Sequence, residues 1–243
     1  MNFFYPPFFI SHNLACTGID IMPTETDLIT LRMEIVRAAR AIVLKKLSEV
    51  GEGNISARIP DADEFFVTPT YNNYENMNPM DVVHLTFDGD IISCPEGRKP
   101  SSEWRLHATI YKNRPRVNFV IHSHSPYATM MAILQEPIPP LLEEMVVFIG
   151  GEIPITPFGR ANTFDLAEKV VAAMGERNAA LMANHGPVAV GRTMDKVIKN
   201  AELVEKMAFL YYGSSQRGAP HVLDDPDDLA YFHEIFEAEH ATY

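Results

Sequence analysis

The sequence predicts an α/β protein in which a mixed central β-sheet is flanked by helices. Two observations carry this expectation. Short strand candidates separated by turns fill residues 55–93, and helix and strand segments alternate from there to residue 212. A third sets the scale: 243 residues, 47% of them apolar, are enough for one full hydrophobic core.

Residues 1–24 contain short apolar stretches, but they lack a basic n-region and are interrupted by Pro6 and Pro7. They fit a secretory signal poorly and are read as a loosely attached extension. A single domain is expected over residues 25–243, closing with a C-terminal helical tail. Leu28, Leu31, Ile35, Ala38, Ile42 and Leu47 recur at near-helical spacing and predict a helix over 27–48, stopped by Gly51 and Gly53. Strands are predicted at 55–59, 65–68, 82–87 and 90–93, with Asp88-Gly89 as a tight hairpin turn between the last two.

Ser101 and Ser102 read as caps of a helix running to Asn113, ended with the help of Pro115. A buried strand is expected at 117–122. A helix follows over 126–134, with proline in its first turn, and then a proline-rich loop over 135–140. A helix near 163–174, strands at 179–183 and 187–191, and a long helix at 194–212 complete the pattern.

Charge and cysteine usage narrow the function. A formal net charge of −12 argues against nucleic acid as a main partner, because phosphate backbones select basic faces. A small anionic substrate stays open, since a few local donors outvote a global field. Cys16 and Cys94 form no metal-ribbon or disulfide pattern, which fits a reducing, cytoplasmic compartment. No apolar run approaches the ~20 residues needed to cross a bilayer, so no membrane span is expected.

The first chemistry-bearing stretch is Val117-Asn118-Phe119-Val120-Ile121-His122-Ser123-His124. Side chains alternate along a strand, so His122 and His124 point the same way, ~6.6 Å apart along the backbone. Two imidazoles so placed can converge on one ion, although His-x-His alone is a weak signal, and two polar residues at a strand end are the commoner explanation until a third ligand is found. His185, where a buried strand runs into a turn beside Gly186, is the candidate third ligand. Three histidines leave an open coordination position for a substrate, unlike a closed structural site. His12, His84, His107, His221, His233 and His240 show no comparable spacing and receive no role.

The second stretch is Pro100-Ser101-Ser102-Glu103-Trp104-Arg105-Leu106-His107. Two serines at a helix start offer hydroxyls beside exposed N–H groups, a place for an anion or simply a cap. Glu103 is either a first-turn carboxylate facing the helix dipole or a functional acid, and Trp104 reads as packing.

These stretches stand in a recognisable order. Gly53-Asn54-Ile55-Ser56, Thr68-Pro69-Thr70, Ser101-Ser102-Glu103-Trp104-Arg105-Leu106-His107, His122-Ser123-His124-Ser125-Pro126-Tyr127-Ala128-Thr129 and Ala183-Asn184-His185-Gly186 together resemble the class II aldolase/adducin family. The resemblance runs over residues 27–213 and is strongest toward its L-fuculose-1-phosphate aldolase branch. It implies the class II aldolase-like sandwich and, as an activity, metal-dependent retro-aldol cleavage of a ketose phosphate to dihydroxyacetone phosphate and an aldehyde. His122, His124 and His185 fall on the family's zinc ligands, and Glu103 falls on the catalytic carboxylate. Asn54, Thr70, Ser101 and Ser102 fall on positions that hold the substrate phosphate. Mn2+, Co2+ or Fe2+ are possible in place of Zn2+. A homotetramer with active sites between subunits is also implied, and Glu103 is expected to have a raised pKa near the working pH.

Two departures bear on substrate. Tyr71 stands where the family's phosphate loop usually has glycine, and the tyrosine that protonates the aldehyde oxygen corresponds roughly to Glu143. They raise the alternative of a metal-dependent decarboxylase of a keto or hydroxy-aromatic acid. A 4-epimerase or a dehydratase is less favoured. A non-catalytic adducin-like module is disfavoured by the complete histidine set and by the acidic tail at Asp224, Asp225, Asp227 and Asp228.

Overall fold

In the computed structural model, residues 23–49, 51–70 and 73–241 are described. Tyr71 and almost all of the N-terminal extension lie outside them. Helix α1 (Glu25–Leu44) starts at Thr24, whose side chain accepts from the Asp27 N–H while the Asp27 carboxylate accepts from the Thr24 N–H. It ends earlier than the predicted residue 48. Leu47 N–H reaches back to Ile42 C=O at 2.8 Å and Lys46 N–H to Val43 C=O at 3.0 Å, with Lys46 left-handed at φ 57°. This is a Schellman closure, and Leu47 is the apolar residue that folds under it. A hydrophobe that reads as one more helical turn is the plug that ends the helix.

Strands β1 (Asn54–Arg58), β2 (Glu64–Val67), β3 (Val83–Thr86) and β4 (Ile91–Ser93) form a meander, with short 3-10 turns at Tyr74–Asn76 and Pro79–Asp81. Helix α2 (Trp104–Asn113), strand β5 (Phe119–His122) and helices α3 (Pro126–Leu134) and α4 (Glu143–Ile149) follow. Then come α5 (Phe164–Met174), β6 (Ala179–Met182), β7 (Gly186–Gly191), α6 (Met194–Ser215) and α7 (Pro226–Ala241). The seven strands run in the order β4-β3-β2-β1-β5-β7-β6. Among the described residues every ladder is antiparallel, and the parallel component of the expected mixed sheet is the single bridge Ile155↔Leu181.

Alternation divides the core into two. Ile55, Ala57, Phe119, Ile121, Leu181 and Ala189 pack with α1, α3, α4 and α6 on one face. Val67, Val120, Met182, Val188 and Val190 pack with α2 and α5 on the other. β5 lies between β1 and β7 and is buried along its whole length, as expected of a central strand covered on both faces. Helix α4 escapes the sequence reading because it is only seven residues long, has no side-chain cap at Leu142 and follows a proline-rich loop. Among the described residues no helix is long and apolar enough to cross a membrane.

Candidate active site

One end of the sheet collects the functional candidates. β1 begins there, β2 and β5 end there, and β6 turns into β7 there. The register sets Asn54 opposite His122 and His122 opposite Val188, so His122 emerges at the centre of that end. It lies on the α2 face with Asn54 and Ser56, two residues apart on β1.

His185 arrives from the turn between β6 and β7. The bend is carried by Asn184, left-handed at φ 56°, and not by Gly186 as the sequence suggests. Gly186 is required for another reason: a Cβ there would lie 2.6 Å from Ser123 C=O, where β7 passes the outgoing β5 chain. Gly53 meets the same constraint on the other side. Its φ is +69°, and a Cβ at that residue would fall 2.5 Å from His122 C=O.

The three rings converge. His122 Nε2 and His124 Nε2 are 3.0 Å apart, and one ligand atom from each of His122, His124 and His185 lies within 4.8 Å of the others. The donor chemistry fits a divalent ion. His122 Nδ1–H donates to Pro187 C=O at 2.9 Å, so its Nε2 lone pair faces the cluster, the orientation seen when a backbone carbonyl fixes a ligand imidazole. Two neutral imidazole nitrogens facing each other at hydrogen-bond distance can share at most one proton, a vertex that a cation occupies naturally. Glu52 Oε2 stands 3.7 Å from His124 Nδ1 on the outer side.

Glu103 closes the group from the α2 side. Its Oε2 accepts from Asn54 Nδ2 at 2.9 Å and lies 3.3 Å from His122 Nε2. Its Oε1 lies 3.4 Å from His185 Nε2 and is a buried oxygen with no hydrogen bond. Burial raises the pKa of this carboxyl, but His122, His185 and the Asn54 donor outweigh it and hold Glu103 well below the usual carboxylate range. The raised pKa expected from sequence is therefore reversed: two imidazoles within 3.4 Å stabilise the ionised form. Burial and the neighbouring His122 push His185 down to about 4, and the same two causes lower His124. For His122 burial works against the charge, but the Glu103 carboxylate and the Pro187 carbonyl leave its pKa raised.

The other candidates are distributed around this centre. Ser101 N–H donates to Thr68 C=O at 3.0 Å and Thr70 N–H to Lys99 C=O at 2.9 Å, so the Thr68–Thr70 and Lys99–Ser101 stretches run side by side. Ser101 is buried and Ser102 exposed. Neither is the helix cap that the sequence suggests: α2 starts at Trp104, the N-cap position is Glu103, and Ser101 Oγ accepts the Glu103 N–H at 3.3 Å. Glu103 makes no capping bond because its carboxylate is turned to the histidines. Asn54 is buried, its amide spanning Glu103 and His107. Glu143 is exposed in the first turn of α4.

His107, given no role on sequence, is fully buried beside these residues and bonded on both ring nitrogens. A signal is present in the chain: Glu103, His107 and Tyr111 are spaced four apart, one stripe of a helix.

Comparison with known proteins fits this geometry. The family described as class II aldolase and adducin N-terminal domain matches residues 33–212.

The chain belongs to the class II aldolase and adducin family.

Among curated relatives, a 5-methylthioribulose-1-phosphate/5-deoxyribulose-1-phosphate aldolase of Rhodospirillum rubrum is 37% identical over 196 residues, covering 80% of this chain and 86% of the relative. An L-fuculose phosphate aldolase of Escherichia coli O6:H1 is 33% identical over 181 residues, covering 74% and 82%. A solved L-fuculose 1-phosphate aldolase superposes with a TM-score of 0.81 at 27% identity, covering 89% of this chain and 98% of that one. The family also includes a 3-oxo-tetronate 4-phosphate decarboxylase of Escherichia coli O6:H1, 30% identical over 191 residues, covering 75% and 86%. The names of these relatives thus cover more than one kind of bond cleavage.

Proposed function

We propose that the protein is a divalent-metal-dependent aldolase that cleaves a ketose 1-phosphate to dihydroxyacetone phosphate and an aldehyde. The observation that carries this reading is the half-buried Glu103 carboxylate, one oxygen fixed by Asn54 and the other buried and unbonded, facing three converging imidazoles. His122, His124 and His185 would hold the metal, zinc in the first instance. When bound, such an ion polarises substrate oxygens as a Lewis acid and offsets the negative charge that develops on them, an effect of several kcal/mol.

Glu103 is ionised and so is in the form that accepts a proton. In cleavage its Oε1 takes the proton that the aldehyde-side hydroxyl loses as the carbon–carbon bond breaks and gives it to the carbon bearing the other hydroxyl, completing dihydroxyacetone phosphate, while Oε2 stays on Asn54 so that the carboxylate does not turn. Thr70, Ser101, Ser102 and the remaining Asn54 donor are the groups assigned to the phosphate. Two relatives act on 1-phosphorylated ketoses, which supports L-fuculose 1-phosphate and 5-deoxyribulose 1-phosphate as first substrates. A homotetramer is part of the same reading, tested by the mass of the native protein.

The test is release of dihydroxyacetone phosphate from either sugar phosphate by chelator-treated protein, before and after addition of zinc or manganese. Metal-restored release is expected. Absence of release from protein that binds about one ion per chain would remove the aldolase assignment. The second reading, a decarboxylase, is favoured by the tetronate-phosphate relative and by Glu143 near the position of the family tyrosine. Carbon dioxide release from a 3-keto acid phosphate would establish it.

A further inference from the structure

Behind Glu103 runs a buried line of four side chains whose polarity can be deduced from one end. Tyr111 Oη lies 2.6 Å from Ser56 Oγ, which lies 2.6 Å from His107 Nδ1. On the far side of the ring, His107 Nε2 contacts Asn54 Oδ1, and Asn54 Nδ2 donates to Glu103 Oε2 at 2.9 Å. The last contact fixes the others. The Asn54 NH2 is the end of the amide at Glu103, so its oxygen is the end at His107. An amide oxygen only accepts, so the His107 proton sits on Nε2.

Nδ1 is then an acceptor and receives the Ser56 O–H, and Ser56 Oγ in turn accepts from Tyr111. Every group donates toward Glu103. The ring is neutral, because burial and the nearby His122 hold its pKa down to about 3. The line exists because Glu103, His107 and Tyr111 share one stripe facing Asn54 and Ser56, which are alternate residues of β1.

We propose that His107 is a positioning residue for Glu103: its Nε2–H holds the Asn54 amide in the one orientation that donates to Oε2, leaving Oε1 free toward the reacting centre. The inference builds on the acid/base reading of Glu103. An amide without that donor is free to flip, and a flipped Asn54 sets its oxygen against the carboxylate. Two acceptors then face each other and Glu103 swings away from its aim. The two ends of the ring have different consequences: loss of the donor on Nε2 removes the restraint, whereas loss of the acceptor at Nδ1 leaves it in place.

Two substitutions separate those ends. In His107→Gln an amide N–H replaces the Nε2 donor, whereas His107→Asn reaches only the Nδ1 position and leaves Asn54 unrestrained. Both variants, with Glu103→Gln beside them, are assayed for kcat, KM, bound metal per chain and melting temperature. His107→Asn is expected to lose about 30–100-fold in kcat with KM and metal content little changed, and His107→Gln to recover to within about threefold of wild type.

Equal losses in both variants, or a loss confined to KM or metal content, overturn the proposal. Wild-type kcat in His107→Asn alongside an inactive Glu103→Gln also overturns it, but leaves Glu103 as acid/base. An active Glu103→Gln removes the acid/base reading and the proposal together. Independently of turnover, long-range 1H–15N correlations on the wild-type protein at neutral pH are expected to show His107 protonated on Nε2 alone. An Nδ1–H tautomer or an imidazolium there overturns it even if neither variant folds.

Discussion

Glu205, in the middle of α6, accepts the backbone N–H of Ala128 at 2.9 Å and, through its other oxygen, that of Tyr127 at 3.0 Å. Helix α3 therefore has its first-turn donors satisfied by a carboxylate 77 residues away, while Ser125 at the N-cap makes no side-chain bond. The negative charge also lies at the positive end of the helix dipole. Because α3 begins two residues after His124, this clamp holds the end of the histidine segment as well as the helix.

Glu205→Ala is expected to destabilise the protein by about 2 kcal/mol, the scale of losing charge-assisted bonds to two backbone donors. Urea unfolding with unchanged m-value measures it, and metal affinity should weaken as His124 loosens. A loss below about 0.5 kcal/mol would show that water replaces the clamp without cost.

Glu103→Gln keeps the size of the side chain and an acceptor oxygen but removes the base. A fall in kcat of about 10²–10⁴-fold is expected, with bound metal per chain unchanged, since the three imidazoles are untouched. Metal analysis beside steady-state kinetics decides it. Near-normal turnover would remove Glu103 from the chemistry.

His107 links the site to stability. Its folded pKa is about 3, below the usual value of 6.5 for an unfolded chain. Between those values the unfolded state binds the proton and the folded state does not, so stability rises with pH across that window. It is complete above about pH 6.5 and lost progressively on acidification, by at most about 1.4 kcal/mol per pH unit. Metal-free wild type and His107→Gln, unfolded in urea at a series of pH values, should diverge in slope between pH 6 and 4. Parallel slopes would show that His107 does not supply this term.

Gly53→Ala places a methyl group 2.5 Å from His122 C=O at a backbone angle of +69°. A cost of about 1–3 kcal/mol is expected from strain alone, and the displaced carbonyl moves His122 with it. The signature is a joint loss of thermal stability and metal binding. A stable variant with full metal occupancy would mean that the loop yields without moving the strand.

Much of this site is legible in the chain. His122 at the end of a buried strand, a third histidine where another buried strand turns and Pro126 opening a helix are local patterns with local causes, and each lies where those causes put it; His124 lies beyond β5, so its ring joins the cluster from the following loop and not by strand alternation. What cannot be read depends on partners far apart in sequence. The end of α1 is set by Leu47 folding under a left-handed lysine, which periodicity takes for another turn. The low pKa of Glu103 depends on His122 and His185, 19 and 82 residues away, and a pattern of acidic and apolar residues does not contain that distance. His107 does not stand out in the chain because its partners Ser56 and Asn54 are 51 and 53 residues upstream.

The pairing of Asn54 with His122 across β1 and β5 has a consequence for how such a chain can diversify. One residue gained or lost within β1 would turn Asn54 and Ser56 from the α2 face to the α1 face and break the line to Glu103 in one step, and one within β5 would turn His122 away from them in the same way. Length changes can therefore accumulate at the opposite end of the sheet, where Arg58 leaves β1 and Phe119 enters β5, while new substrate preferences have to arise by exchanging side chains within strands of fixed length.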